Sequence, residues 1–389
     1  LSIDGCSGLL YLLHALGHEL VADPPGLWLV SENSAPCAHV AAQRRNRELN
    51  LAQAPLWGMG KIVALEHPEL SCKRIDLDVA AADIQAEQLV AQLRSVAGED
   101  QVAVRDGAVY VPRLSRSADA ALTEVAVLRD DSTYLITGGT GALGLRIAAW
   151  MVEQCGVRCL ALAGRTPPDD ETRARLDELK AQGATIAVLQ TDVADGGQVA
   201  QLVEYIEAEL PPVRGVIHAA GLLDDGVLAA QTPERFARVM EPKVQGAWNL
   251  HEHTVHWSLD FFVLFSSATA LLGSPGQANY AAANAFLDAL AVCRRARDLP
   301  ALSISWGAWS QIGEAAQRQA DAYLQKMGVG SISPEQGLQL LALLLSHPGP
   351  QVGAIPIDWS VFSAQWAPTP FFAHLRQSLG HQPPASPAL

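Results

Sequence analysis

Two periodicities alternate along the chain, and together they predict an α/β protein. Short runs of β-branched and aliphatic residues predict strands, and segments with apolar residues three or four apart predict helices. Over the first third, helices are expected at Ser7–Leu20, Pro55–Leu70 and about Ala82–Val96, and strands at Leu27–Glu32, at Lys73–Leu77 and as a pair around Gly107. This alternation predicts a parallel sheet with helices packed on it. The first third contains no glycine-rich loop that could hold a phosphate.

After a polar connection at Arg113–Asp131 the pattern restarts, which predicts a second α/β unit. Strands are expected at Thr133–Thr137, Arg158–Arg165, Thr185–Val193, Gly215–Gly221, Ala301–Trp309 and Val352–Ile357, and at the start of the segment Phe261–Asp288. Helices are expected from the N-cap Thr232 through Lys243 to His251, and from the capping box Ser333–Gln336 to about Leu345. The chain is therefore predicted to divide into units at 1–128 and 129–375, with a Pro-, Gln- and Ser-rich linker at 376–389.

The segment after the Thr133–Thr137 strand is rich in glycine and predicts a nucleotide site. It reads G-x-G-x-x-G from Gly139 to Gly144, between a strand and a helix. Glycines in this pattern permit a tight turn and let the backbone approach a pyrophosphate, which the start of the helix attracts through its N–H groups and dipole. The predicted contacts are Gly138, Gly139, Thr140, Gly141, Leu143 and Gly144.

The ends of the next three strands complete the predicted cofactor site. The second strand ends in Gly164 and Arg165, where an NAD site would carry an acidic residue for the ribose 2′-hydroxyl. A guanidinium there suits a 2′-phosphate instead, so NADPH is predicted. Asp192, followed by Val193, is expected near the adenine. Small residues after the fourth strand leave room for the nicotinamide ribose, and the predicted contacts there are His218, Ala219, Ala220 and Gly221.

The segment Phe261–Asp288 contains the candidate catalytic residues. Ser267 is expected where the strand ends, and Tyr280 and Asn284, four residues apart on the following helix, can share one face. A hydroxyl, a phenol and an amide beside a nucleotide site suggest carbonyl reduction. Two interpretations stay open at this point: either the three residues form a site, or Ser267 caps a helix and Tyr280 is a half-buried core residue.

Composition narrows the possible function classes. A chain of 389 residues, 49% hydrophobic and 17% charged, is long enough for two packed units, and a net charge of −14 argues against nonspecific binding to nucleic acid or to an anionic membrane. The six cysteines show no zinc-ligand spacing, so no metal is predicted and a reducing cytoplasm is the expected location. No membrane span and no signal peptide are visible. Because the chain begins at Leu1 rather than Met, it is expected to be a piece of a longer protein.

The segment Gln311–Lys326 is rich in Ala and Gln and is flanked by glycines, with Gly313 near its start and Gly328 just after its end. A helix hinged by glycines over a cleft would act as a lid. An ordinary surface helix explains the same pattern equally well, so both interpretations stay open.

Taken together, the motifs resemble those of a known family. TGGTGALG, HAAGLLDDGVL, PKVQGAWNL, FSSATALLGSPGQANYAAANAFLDAL and SWGAW are similar to the catalytic half of ketoreductase domains from modular type I polyketide synthases, within the short-chain dehydrogenase/reductase superfamily. PLWGMGKIVALEHPEL followed by RIDLD resembles the non-catalytic half of such domains. The resemblance covers nearly the whole chain. It implies two Rossmann-like subdomains: a truncated structural one without cofactor, then a catalytic one with a parallel sheet.

The resemblance also implies an activity and a role for each candidate residue. The expected reaction is NADPH-dependent reduction of a β-ketoacyl thioester carried on an acyl carrier protein, with the other domains of a synthase as partners. Tyr280 would donate the proton, Lys243 would lower the pKa of that phenol and hold the nicotinamide ribose, and Ser267 would polarise the carbonyl. Asn284 would order water. Most superfamily members have Lys four residues after the Tyr, whereas this chain has Asn284 there and Lys243 upstream; polyketide ketoreductases show a similar exchange.

The resemblance further predicts stereochemistry. Leu223-Asp224-Asp225 is similar to the LDD that marks the B type, whose products carry a 3R hydroxyl, and Gln277 completes the predicted stereocontrol set. The Trp that marks the A type is absent because position 272 is Leu, and position 282 is Ala rather than the Pro of the B2 subtype. A B1-like reductase is therefore predicted. Two alternatives stay open, a reductase-inactive epimerase and a structural domain of a synthase, although the intact cofactor loop and tyrosine disfavour the epimerase.

Overall fold

The computed structural model of the chain describes residues 4–18, 24–37, 49–95, 98–117, 126–311, 325–365 and 369–375. Its strands are β1 (Trp28–Glu32), β2 (Lys73–Leu77), β3 (Gln101–Arg105), β4 (Ala108–Tyr110), β5 (Thr133–Thr137), β6 (Cys159–Gly164), β7 (Thr185–Gln190), β8 (Val213–His218), β9 (Phe261–Ser267), β10 (Leu302–Trp306) and β11 (Gln351–Ala354). Its α-helices are α1 (Asp4–His18), α2 (Ala54–Glu66), α3 (Ala82–Leu93), α4 (Ala142–Glu153), α5 (Asp170–Ala181), α6 (Gly196–Glu209), α7 (Pro233–Met240), α8 (Gly246–Thr254), α9 (Ala268–Leu272), α10 (Ala278–Ala296), α11 (Pro334–Leu344) and α12 (Trp359–Gln365).

The N-terminal half forms a sheet with the strand order β1-β2-β3-β4. Strands β1, β2 and β3 are parallel, and β4 returns antiparallel to β3. The return is a two-residue turn at Asp106 and Gly107, whose φ angles of +51° and +77° match the hairpin turn that an Asp-Gly pair favours. The predicted strand pair around Gly107 is thus confirmed.

The C-terminal half forms a seven-stranded sheet with the order β11-β10-β9-β8-β5-β6-β7, in which every neighbouring pair is parallel. Helices cover both faces, and β5 is buried at all five positions, as expected for a sheet packed on two sides. The strand order reverses between β5 and β8. In open α/β sheets this switch point is where ligands bind, at the carboxyl ends of the strands.

One of the buried hydrophobic clusters contains residues from both halves. Leu10 of α1 and Met59 and Ile62 of α2 belong to the same buried cluster as Phe286 and Leu287 of α10. Helix α2 crosses α10 so closely that a Cβ at Gly58 would overlap the Ala281 carbonyl oxygen. The N-terminal half therefore packs directly on the helix that carries Tyr280.

The fold confirms the predicted α/β class and corrects several local predictions. The long helix expected from Thr232 to His251 is interrupted by a π-helical turn at Glu241–Gln245, because Pro242 has no N–H for the α-helical ladder. A short helix, α9, follows Ser267 directly, and α12 lies near the C-terminus; neither was predicted. The predicted lid lies largely outside the described residues, as does the linker at 376–389. None of the described helices is long and apolar enough to span a bilayer.

Candidate active site

A cavity of about 820 Å³ opens at the carboxyl edge of the seven-stranded sheet. Its walls come from the segments after β5 to β10 and from the first residues of α4 and α10. The cavity therefore includes the switch point between β5 and β8. Its volume lies within the range of about 300 to 1,000 Å³ that small-molecule sites occupy.

The glycine turn between β5 and α4 forms one wall of this cavity from backbone. Gly138 has a φ of +69°, which favours glycine, and a Cβ at Gly144 would overlap the Gly138 carbonyl oxygen. Gly141 is the N-cap of α4 and supplies no side-chain bond to the first helical N–H groups. Those groups can complete their hydrogen bonding with an anion. The turn thus fits a pyrophosphate, and Gly138, Thr140, Gly141, Leu143 and Gly144 all line the cavity.

The predicted residues after β6, β7 and β8 also reach the cavity. Arg165 is exposed, lines the cavity and forms no ion pair with another described residue, so its guanidinium is available to a ligand. Asp192 lines the same wall and is fixed by its own turn, where its carboxylate accepts a bond from the Ala194 N–H at 3.0 Å. The other predicted residues on these walls are Gly164, Val193, Ala219, Ala220 and Gly221.

Lys243 is placed by the π-helical turn that Pro242 causes. Its side chain is buried, lines the cavity and donates from Nζ to the Phe265 carbonyl oxygen at 2.8 Å. The ammonium lies 5.1 Å from the centroid of the Tyr280 ring. Burial lowers the pKa of Lys243 to about 8, so the side chain is still mainly protonated at neutral pH. A positive charge therefore sits next to the phenol.

Ser267 both caps a helix and lines the cavity. It is the N-cap of α9, where its Oγ accepts a bond from the Thr269 N–H at 3.2 Å. It also lines the cavity, as Tyr280 does. A capping serine keeps its hydroxyl at a fixed place at the strand end, so the capping role helps to position the group instead of competing with the site.

Asn284 does not reach the cavity that Tyr280 lines. Its side chain is fully buried, does not line the cavity, and donates from Nδ2 to the Tyr280 backbone carbonyl at 2.8 Å. Its Oδ1 is buried without a hydrogen-bond partner among the described residues. Tyr280 and Asn284 therefore share a helix face, but only the phenol reaches the cavity wall.

The three consecutive residues of the LDD segment, which lies between β8 and α7, have different environments. Leu223 and Asp225 line the cavity, whereas Asp224 does not. The Asp224 carboxylate instead pairs with Arg235 at 2.6 Å and with Arg238 at 3.3 Å, both on α7. Asp224 thus attaches the segment to α7, and Asp225 is the acidic group that a substrate can meet.

A hydrogen-bonded chain, which the sequence did not reveal, links Asp225 to Ser267. The Ser267 hydroxyl donates to Thr269 Oγ1 at 3.2 Å, and Thr269 donates to Gln277 Oε1 at 2.9 Å. Gln277 then donates from Nε2 to Asp225 Oδ2 at 3.3 Å. All four residues line the cavity. Thr269 was missed because a threonine two residues after a strand end has no distinguishing pattern.

Two further predicted cofactor residues support the cavity from behind its wall. Gly139 is packed against β6, where a Cβ would meet the Leu162 side chain at 2.9 Å. His218 is buried, with Nδ1 2.7 Å from the Thr137 hydroxyl. Burial, together with the nearby Lys243 charge, lowers the pKa of His218 to about 3, so the imidazole is neutral at neutral pH. Neither residue lines the cavity, so a direct contact with a bound cofactor is not expected of them.

Two family models match separate parts of the chain, one with strands of the four-stranded sheet and the other with strands of the seven-stranded sheet. The family model of the KR domain matches residues 132–311, and the model of the Rossmann fold domain of the polyketide synthase extender module SpnB matches residues 27–114. The polyketide synthase GfsB of Streptomyces halstedii is 40% identical over 330 residues, which are 84% of this chain and 6% of that protein. The pikromycin synthase component PikAIII of Streptomyces venezuelae is 37% identical over 92% of this chain and 23% of that protein.

Solved structures of ketoreductases are also similar to this chain, and the similarity covers most of each of the two chains compared. A structure described as an A1-type ketoreductase is 31% identical, with a TM-score of 0.83 over 96% of this chain and 77% of that chain. The first ketoreductase of the tylosin polyketide synthase is 32% identical, with a TM-score of 0.83 over 97% of this chain and 81% of that chain. The chain spans only a small part of the curated synthases, but most of these isolated domains. It therefore belongs to the ketoreductase domains of modular polyketide synthases, a family of NAD(P)H-dependent oxidoreductases.

Proposed function

We propose that the chain reduces a β-ketoacyl thioester, carried on an acyl carrier protein, to the 3R β-hydroxyacyl thioester with NADPH. The observation that carries this proposal is the convergence of Lys243, Ser267 and Tyr280 on one cavity that the glycine turn and Arg165 also line. The carrier protein and the other domains of the parent synthase are the proposed partners, since the relatives are much longer proteins. Within the chain, 129–375 would perform catalysis and 1–128 would support it.

The residues at the cavity match what carbonyl reduction requires. The bound nicotinamide would supply the hydride to the β-carbon, and the carbonyl oxygen would gain negative charge and a proton. Tyr280 would donate that proton, and the Lys243 ammonium near its ring would favour the phenolate that remains. Ser267 would hydrogen-bond the same oxygen and stabilise its developing charge. In this mechanism the unpartnered Oδ1 of Asn284 would accept a hydrogen bond from a water that returns a proton to Tyr280.

The preference for NADPH is supported by Arg165. A 2′-phosphate carries negative charge, and the end of β6 presents a guanidinium to the cavity where NAD-binding sites carry a carboxylate. The 3R product is supported by Asp225 and Leu223 on the cavity wall and by Leu272, which lines the cavity where an A-type domain would have Trp. We therefore propose a B1-like reductase, although the structures of similar fold include an A1-type domain.

The direct test uses the purified chain with NADPH and a simple β-keto thioester. Loss of NADPH absorbance is expected, and chiral chromatography of the product should show the 3R alcohol. A 3S product would reject the B1-like assignment while leaving the reductase intact. No consumption of NADPH, with an active related domain as positive control, would reject the reductase and favour the epimerase or the structural domain.

A further inference from the structure

Helix α2 of the N-terminal half ends in an acidic residue that contacts two segments next to the cavity wall. Glu66, its last residue, is part-buried and accepts two backbone hydrogen bonds. Oε2 accepts from the Leu228 N–H and Oε1 accepts from the Gly276 N–H, each at 2.6 Å. These donors lie about 160 and 210 residues away along the chain. One carboxylate therefore joins the N-terminal half to two separate segments of the C-terminal half.

The two segments that Glu66 joins are the ones that carry the proposed stereocontrol residues. Leu228 follows the segment 222–227, which contains Asp225, and Gly276 directly precedes Gln277. The segments also contact each other, because the Gly226 N–H donates to the Gly276 carbonyl at 2.7 Å. The bond between Gln277 and Asp225 closes the same junction from the cavity side. Glu66 thus lies behind the junction whose front forms the cavity wall.

Helix α2 holds the same wall at another point. Lys61 donates from Nζ to the Leu271 carbonyl oxygen, at the end of α9, at 2.9 Å. Helix α9 begins at the Ser267 cap, and the segment from Leu272 to Gln277 contributes most of its residues to the cavity lining. The segment between Ser267 and Tyr280 is therefore held at Leu271 and at Gly276 by polar side chains of α2.

We propose that Glu66 is a positioning residue for the stereochemistry of reduction. Its carboxylate holds the Asp225 segment and the Gln277 segment in register, so that the substrate carbonyl presents one face to the cofactor. This inference rests on the proposed reductase function. Glu66 touches neither the glycine turn nor Arg165, so cofactor binding does not depend on it. A carboxylate suits this position because both of its oxygens accept, and each of the two backbone groups is a donor.

The test compares Glu66→Gln with Glu69→Gln in the full 389-residue chain. Glutamine keeps one acceptor but turns an NH₂ group towards the second N–H, so one of the two bonds is lost. Glu69 lies three residues on and pairs with His67 at the surface, away from both segments, which makes it a matched control. Three quantities are measured: the ratio of 3R to 3S product, kcat/KM for the β-keto thioester, and the dissociation constant for NADPH.

Glu66→Gln should raise the minor stereoisomer several-fold and lower kcat/KM about 10- to 100-fold, the range expected when a hydrogen bond to a charged group is lost. The dissociation constant for NADPH should stay within about twofold, and Glu69→Gln should match the wild type. An unchanged isomer ratio in an active Glu66→Gln protein would overturn the proposal. A matching loss of NADPH affinity would also overturn it, because it would indicate general loosening.

Two further outcomes are decided in the same experiment. If Glu66→Gln does not fold, Glu66→Asp keeps the charge but withdraws the carboxylate by one methylene, and the same isomer ratio decides the question. If the wild-type chain consumes no NADPH, the reductase proposal fails and the Glu66 proposal fails with it. An active wild type with an unaffected Glu66 variant rejects the Glu66 proposal alone.

Discussion

The two halves of the molecule build the same kind of sheet edge and use it in opposite ways. In the N-terminal half, the turn after β1 directs the Ser34 and Ala35 N–H groups at the Asp76 carboxylate, each at 3.0 Å. Asp76 is fully buried and also pairs with Arg105. In the C-terminal half, the turn after β5 is built of glycine and lines a cavity of about 820 Å³. The first edge satisfies N–H groups with an internal anion. At the second edge the Gly139 and Gly141 N–H groups donate to backbone carbonyls, and the first N–H groups of α4 have no side-chain cap, so they can meet a ligand.

This difference explains why, in the described part of the chain, the candidate active site lies in the C-terminal half. A buried turn must satisfy its backbone N–H groups, and a carboxylate from the neighbouring strand does so without any ligand. Glycine offers no side chain for that purpose and lets an external anion approach. Among the described residues of the N-terminal half, the Asp76 carboxylate thus occupies the place after β1 where an external anion would bind. The contribution of this half to the cavity is made elsewhere, through α2.

Tyr280→Phe gives the largest expected effect, because it removes the proposed proton donor from the cavity of the C-terminal half. The kcat for β-keto thioester reduction should fall about 10²- to 10⁴-fold, the usual contribution of a general acid. The dissociation constant for NADPH should change less than about twofold, since the ring stays in place. Tyr205→Phe, at an exposed position on α6, is the control and should behave as the wild type. A mild effect of Tyr280→Phe on kcat would remove Tyr280 as the donor.

Asp76→Asn tests the sheet edge of the N-terminal half, where the Asp76 carboxylate accepts backbone hydrogen bonds. The substitution leaves the buried Arg105 guanidinium without its counter-charge, and breaking a buried pair in this manner costs about 3 to 5 kcal/mol. The free energy of unfolding, measured by urea denaturation, should fall by this amount. The dissociation constant of the folded protein for NADPH should not change.

The matched control for Asp76→Asn is Asp170→Asn. Asp170 also pairs with an arginine, Arg173, but its side chain is 99% exposed, and such pairs contribute about 1 kcal/mol or less. Equal destabilisation by the two variants would show that Asp76 does not hold its edge together. A loss of NADPH affinity in Asp76→Asn would show that the N-terminal half takes part in cofactor binding.

Arg165→Ala tests the sheet edge of the C-terminal half, where the cavity lies. Loss of a charge-assisted contact to a 2′-phosphate should weaken NADPH binding about 10- to 100-fold. NADH has no 2′-phosphate, so its dissociation constant should change less than about threefold. Arg175→Ala removes a cation that pairs with Glu153 outside the cavity, and it should leave both constants unchanged. Equal losses for the two cofactors would reject Arg165 as the determinant of specificity.

The sequence predicted the cavity edge of the C-terminal half well, because the motifs that form this edge are local in the chain. The glycine turn, Arg165 and the strand end at Ser267 each follow from residues adjacent in the chain, and the structure places all of them at the cavity. Neighbouring residues with the same chemistry were harder to separate. Asp224 and Asp225 are both acidic, and only the backbone path shows that one reaches α7 and the other the cavity.

Long-range contacts could not be predicted at all. Glu66 and Lys61 contact segments more than 150 residues away, and an ionisable residue on a helix has no sequence pattern that distinguishes such a role from solvent exposure. The π-helical turn at Lys243 was missed for a different reason. Pro242 signals that a helix is interrupted there, but not that the chain continues as a helix with a wider turn.

Lys61→Met gives the smallest expected effect and tests how α2 connects the two halves. Burial lowers the pKa of Lys61 from its ordinary 10.5 to about 7. Between these pH values the unfolded chain binds a proton that the folded chain does not, so this residue makes the wild type more stable as pH rises. Methionine has no ionisable group, so the Lys61→Met variant lacks this pH-dependent contribution to stability.

Urea denaturation from pH 7 to pH 9 should therefore show wild type gaining about 1 to 3 kcal/mol relative to Lys61→Met, since one pKa unit corresponds to about 1.4 kcal/mol. Lys73→Met is the control, because Lys73 also contacts an aromatic ring, Trp28 at 4.7 Å, as Lys61 contacts Phe371 at 4.4 Å. If both variants keep a constant offset from wild type across this range, the Lys61 ammonium stays protonated against Leu271. The hydrogen bond between α2 and α9 would then keep its charged donor at every pH tested.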